Sequence, residues 1–123
     1  MEPVVEGNWL APGTTVIAAG PTSWRAREVD DATFARATKI FVDSPEQAPM
    51  EVGDMASAVD RGVLQWSQLR ELRYVVAGTA PGRDGSDQII LAKLMGTGVA
   101  DVAAVKVAYD RARAKGIGLE MDW

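Results

Sequence analysis

The chain has 123 residues, 47% of them hydrophobic and 24% charged, with a formal net charge of −4 and neither cysteine nor histidine. That length suits a single domain spanning residues 1–123 with one core of its own, and the acidic excess gives no broad attraction to nucleic acid or anionic lipid. Without Cys or His there is no disulfide, no thiolate nucleophile, and neither the usual general base nor the commonest zinc ligand, so any catalysis would fall to carboxylates, Lys, Tyr, Ser and Thr.

The opening "MEPVVEGNWLAPG" has neither a basic start nor a long apolar run. No later segment has the roughly 18 apolar residues of a membrane span, which predicts a soluble, cytoplasmic protein. "TTVIAA" (Thr14 to Ala19), bounded by "PG" and "GP", reads as a buried strand. Asp30 or Asp31 then caps a helix carrying Ala32, Phe34, Ala35 and Ala37. "KIFVD" (Lys39 to Asp43) is a second strand. In "SPEQ", Ser44 is the expected N-cap, Pro45 the first helical residue and Gln47 the reciprocal cap. The helix so started turns Met50, Met55, Ala58 and Val59 inward and ends at Gly62. "SQLRELRYVVAG" spaces Leu69, Leu72, Val75 and Val76 as a helix stopped by Gly78. After the turn-rich "TAPGRDGSD" comes a third strand, "QIILA" (Gln88 to Ala92), and then a capped amphipathic helix from about Val99 to Lys115.

Strands that are continuous apolar runs alternating with helices predict a parallel sheet covered on both faces. Three strands make half of a doubly wound fold. At the carboxyl end of the first strand, Gly20 to Glu28 occupies the position where open α/β sheets meet their ligands. Two glycines in "MGTGVAD" could offer backbone N–H groups to an anion, but a phosphate fingerprint would need a third glycine at Asp101, and the preferred reading is that they let the helix pack closely on the sheet. Lys93 and Arg83 read as solvated charges at a strand end and in a loop. Asp43 and Ser44 are accounted for by capping. The four tryptophans, Trp9, Trp24, Trp66 and Trp123, suit core or interface packing.

The blocks "NWLAPGTTVIAAG", "REVDD", "IFVDS", "GDM", "VVAG" with "PGR", and "VADVAA" with "GIG" follow one another from Pro3 to about Gly118. Their order and spacing resemble the C-terminal part of the ornithine cyclodeaminase and mu-crystallin family. That resemblance implies the second half of a Rossmann-like NAD(P)-binding domain, with its three strands ordered first, second, third outward from a missing neighbour. It also implies that the Gly-rich turn for the pyrophosphate, the ribose-reading residue and the substrate-binding Lys and Arg lie upstream of Met1. In cyclodeaminases a catalytic Asp stands two residues after the glycine matching Gly20. Here that position is Thr22, which resembles the small hydroxyl of the mu-crystallin branch, and "WRAREVD" resembles that branch with two residues inserted. Leu94 stands where the family has a cofactor-contacting Ser, and Lys93 matches a basic residue.

The resemblance makes Ala19, Gly20 and Thr22 the candidate cofactor-binding residues and leaves no catalytic residue to name. The expectation is a non-catalytic, oligomeric binding or structural module that binds no cofactor tightly and NAD(P) weakly. The alternative is part of a split NAD(P)-dependent cyclodeaminase or ketimine reductase, whose partner chain supplies the missing nucleotide-binding half. Because the first strand carries no charge and no proline, its edge is unprotected. The expected assembly is a homodimer in which two copies of Thr14 to Ala19 pair antiparallel, three strands from each copy, unless "MEPVVEGNWL" folds back over that edge.

Overall fold

The computed structural model describes residues 2–20, 23 and 25–121. Four strands, β1 (Thr15–Ala18), β2 (Lys39–Val42), β3 (Leu69–Glu71) and β4 (Ile90–Lys93), form one all-parallel sheet in the order β1-β4-β2-β3. The helices are α1 (Asp31–Arg36), α2 (Ala48–Glu51), α3 (Gly53–Asp60), α4 (Leu72–Val76) and α5 (Gly98–Lys115). None of the helices among the described residues is long and apolar enough to cross a membrane.

The α/β class and the parallel sheet agree with the reading of the sequence, whereas the strand count and order do not. Leu69–Glu71 pairs with Ile40–Val42 as a fourth strand, and the predicted helix survives only as α4. The ladder bonds gained along β2 outweigh the local helical spacing, a tertiary override that i, i+3 periodicity cannot register. The third strand of the sequence reading, β4, inserts between β1 and β2. Every residue of β2 and β4 is buried, as central strands require, while β1 alternates and remains at an edge.

Alternation along the strands sends Val16, Ala18, Ile40, Val42 and Leu91 to one face, where Phe34 of α1, Ala48 of α2, and Met55 and Ala58 of α3 complete the core. The opposite face carries Thr15, Ile17, Phe41, Ile90 and Ala92, with Leu72 and Val75 of α4 and the loop at Gly82 and Arg83 beside it. That face is covered over the central strands, where Phe41, Ile90 and Ala92 are buried, and is open at the edge strand β1, where Ile17 is 67% exposed.

The N-terminal segment is fixed elsewhere. Val4 and Val5 N–H groups donate to the Glu28 carbonyl, and Asp30 N–H donates to the Val5 carbonyl. Asp30 caps α1 through Thr33 N–H (2.8 Å) and also accepts from Gly7 N–H (2.8 Å), so one carboxylate joins two segments. A Cβ on Gly7 would lie 2.3 Å from the Ala32 backbone, so only glycine permits this approach. Burial opposes the charge on Asp30, but hydrogen bonds from the Thr33 side chain and from the Gly7 and Thr33 backbones outweigh it and lower its pKa.

The predicted Pro45–Gly62 helix is two helices separated by an extended Val52. Ser44 Oγ accepts from Gln47 N–H as expected, but it closes a turn, and Gln47 bonds Glu51 in place of the reciprocal cap. Met55 and Ala58 point inward, whereas Met50 is exposed. The last helix has the expected span, with Thr97 as N-cap and Gly116 in the left-handed conformation. It buries no residue, so its glycines do not serve close packing on the sheet, and a Cβ on Gly98 would meet nothing.

Candidate functional site

The carboxyl ends of β1, β4 and β2 bring together Ala18–Gly20, Lys93–Met95 and Asp43. Lys93 is 2% exposed, so it is a buried cation where the sequence suggested a solvated one. Its Nζ donates to Glu28 Oε2 and lies 3.5 Å from Oδ2 of the buried Asp54. Asp54 also accepts from Glu28 N–H (3.2 Å) and Met55 N–H (3.0 Å). One cation thus faces two carboxylates, and all three are tied to backbone or to one another. In a low-dielectric site such a set is costly to break, because removing one partner leaves a buried charge behind. Its mechanical effect is to lock the stretch around Glu28 onto the end of β4.

Gly20 sits against this network. A Cβ there would lie 2.5 Å from Glu28 Cδ, so a larger residue would displace the Glu28 side chain from its place beside Lys93. Ala19 is exposed at the end of β1, while Thr22, the third expected cofactor residue, and Trp24 and Trp123 lie outside the described residues. Of the other tryptophans, Trp66 packs on the core and Trp9 is exposed.

The glycine turn before α5 gives two of its N–H groups to a carboxylate. The Asp43 carboxylate accepts from Met95 N–H (3.0 Å) and Gly96 N–H (2.7 Å), and Thr97 Oγ1 accepts from Ala100 N–H (3.3 Å). Asp43 is therefore a strap between β2 and the segment after β4, which corrects its assignment as a capping residue. Its own charge would repel a phosphate. Arg83 is likewise no anion hook: its guanidinium donates to the Gln88 carbonyl and to Thr15 Oγ1 (2.8 Å), pinning the amino ends of β1 and β4. No group of three or more potential metal ligands occurs among the described residues.

A dinucleotide needs an apolar strand end for its nicotinamide and free N–H groups at a helix start for its pyrophosphate. The described residues fit the first requirement, through Ala18, Ala19, Gly20 and Leu94, whereas at the second the turn leading into α5 already carries a carboxylate, Asp43. Asp54 was missed by sequence reasoning except as part of the block "GDM". Its signal was an acid in the first turn of a helix, which is too common to single out.

A four-stranded parallel sheet with flanking helices is a Rossmann-like arrangement. The solved Δ1-pyrroline-2-carboxylate reductase of Thermococcus litoralis, in complex with NADH and L-proline, superposes with a TM-score of 0.86 at 34% identity, over 97% of this chain and 37% of that one. The iminosuccinate reductase of Paracoccus denitrificans, in complex with NAD+, gives a TM-score of 0.84 at 29% identity over 99% and 37%. The alanine dehydrogenase of Archaeoglobus fulgidus is 33% identical over 95% of this chain and 36% of its own length. The family model "Ornithine cyclodeaminase/mu-crystallin family" matches residues 1–116, and the chain belongs to that family. It spans about a third of the length of the curated relatives it matches.

Proposed function

We propose that this chain is a non-catalytic binding module that retains the nicotinamide-side wall of the family's NAD(P) site. The observation that carries this reading is the division of labour at the carboxyl end of the sheet. The Lys93, Glu28 and Asp54 network keeps the wall rigid, while Asp43 occupies N–H groups that an anion would otherwise use. Two of the relatives are solved with NADH or NAD+, which supports the identity of the ligand. Catalysis requires cofactor and substrate held in register. The described residues contribute a wall and no free carboxylate or amine aimed at it.

Titrating the pure chain with NADH, followed by energy transfer from tryptophan, tests this. The expected outcome is binding weaker than about 1 mM, with no NADH oxidation in the presence of Δ1-pyrroline-2-carboxylate. Micromolar binding at one site per chain, or turnover of that substrate, would overturn the reading.

A further inference from the structure

We infer that Glu28 discriminates the redox state of a nicotinamide at this wall: its carboxylate is a fixed, ligand-facing acceptor that favours the cationic, oxidised ring over the neutral, reduced one. The inference rests on the wall being the nicotinamide side of a dinucleotide site, as proposed above, and adds which form of the ligand it takes. Three observations lead there. First, Glu28 is gripped at both ends. Its N–H donates to Asp54 Oδ2 (3.2 Å), and its Oε2 accepts from Lys93 Nζ, both partners being almost fully buried. Second, the grip leaves one oxygen over. Among the described residues no donor bonds Glu28 Oε1, and the side chain keeps 18% of its surface exposed while that of Lys93 keeps 2%. Third, this oxygen lies against the wall itself, since a Cβ on Gly20 would come within 2.5 Å of Oε1.

The charge on that oxygen is not cancelled locally. Lys93 is shared, with Asp54 Oδ2 3.5 Å from the same Nζ, so one ammonium serves two carboxylates. Asp43, which straps the segment after β4, adds a third carboxylate at the same end of the sheet. The cations of the loop are directed elsewhere. The Arg27 guanidinium donates to Ser57 Oγ, one turn along α3 from Asp54, and Arg25 is exposed to water, which screens it. At the end of β3, Glu71 is matched by Arg73. A ring carrying positive charge is therefore stabilised beside Gly20, and one that has gained a hydride and become neutral is not. An excess unit charge acting over roughly 12 Å at an effective dielectric constant of about 20 changes an affinity about tenfold. Because Lys93 already holds Oε2, Glu28 orients and discriminates without serving as a free base.

The two forms of the dinucleotide test this directly, because they share the same pyrophosphate and differ in charge only at the ring. The isotope-labelled whole chain is titrated with NAD+ and with NADH while the amide resonances of Ala19, Gly20 and Glu28 are followed. The expected dissociation constant for NAD+ is about tenfold the lower. Glu28→Gln removes the charge, keeps the shape and leaves Lys93 paired with Asp54, so it should bring the two constants within about twofold of each other. Asp43→Asn leaves the grip on Glu28 intact and should lower the NAD+ preference by a smaller factor, about two. Equal constants for NAD+ and NADH in the native chain, or an undiminished preference for NAD+ in a folded Glu28→Gln, overturn the inference and leave the nicotinamide wall standing. Absence of any shift at Ala19 and Gly20 with either form overturns the proposed function and the inference with it.

Discussion

The inner face of the sheet and the last helix are built from the same kind of residue and behave in opposite ways. Ile40, Val42 and Leu91 are buried under α1, α2 and α3, whereas Val99, Val102 and Val105 on α5 are each at least 67% exposed. Aliphatic content therefore does not decide burial; the presence of a facing layer does. Among the described residues, α5 is held by local terms. They include Thr97 at its start, Gly116 after its end, the Lys106 and Asp110 ion pair at 2.6 Å, and the Arg113 guanidinium over Tyr109. Exposed pairs of this kind contribute tenths of a kcal/mol each, and isolated helices of about this length are marginal in water. The difference teaches that one chain carries a region stabilised by packing and a region stabilised by little beyond its own backbone.

The sharpest way to break the packed region is to remove its buried cation. Lys93→Met leaves Glu28 and Asp54 facing each other without a counter-charge, and urea denaturation should show a loss of about 3–5 kcal/mol. Leu91→Ala tests the apolar part of the same face and should cost about 2–5 kcal/mol by the same measurement, since the residue is fully buried between two layers. Asp30→Ala, at the join between the N-terminal segment and α1, should cost about 1 kcal/mol at neutral pH. Because the folded pKa of Asp30 lies below its ordinary value, that contribution is complete above the ordinary aspartate value and fades as the pH falls through the folded one. The gap between wild type and Asp30→Ala in urea should accordingly narrow on acidification. Val105→Ala on α5 should change stability by no more than about 0.5 kcal/mol. Hydrogen exchange should sharpen the same contrast, with α5 amides far less protected than those of β4. If α5 proved as protected as β4, its exposed valines would have to be covered in solution.

The sequence by itself determined the local vocabulary. Three β-branched runs bounded by turn residues became β1, β2 and β4. Asp30 became a helix cap, and Gly116 ended α5 because a left-handed residue there favours glycine. The ordered blocks from Pro3 to Gly118 were enough to indicate the family. What only the tertiary structure decided is everything that depends on a neighbour distant in the chain. The insertion of β4 between β1 and β2, and the conversion of Leu69–Glu71 from predicted helix to strand, follow from ladder bonds to a partner that periodicity does not encode. The same holds for the site. Lys93 is separated from Glu28 by 65 positions, and Asp43 from Met95 by 52, so neither the burial of that lysine nor the loss of the turn's N–H groups to a carboxylate can be read from spacing. Charge and propensity are properties of one residue, whereas desolvation and hydrogen-bond occupancy belong to the pair that folding brings together.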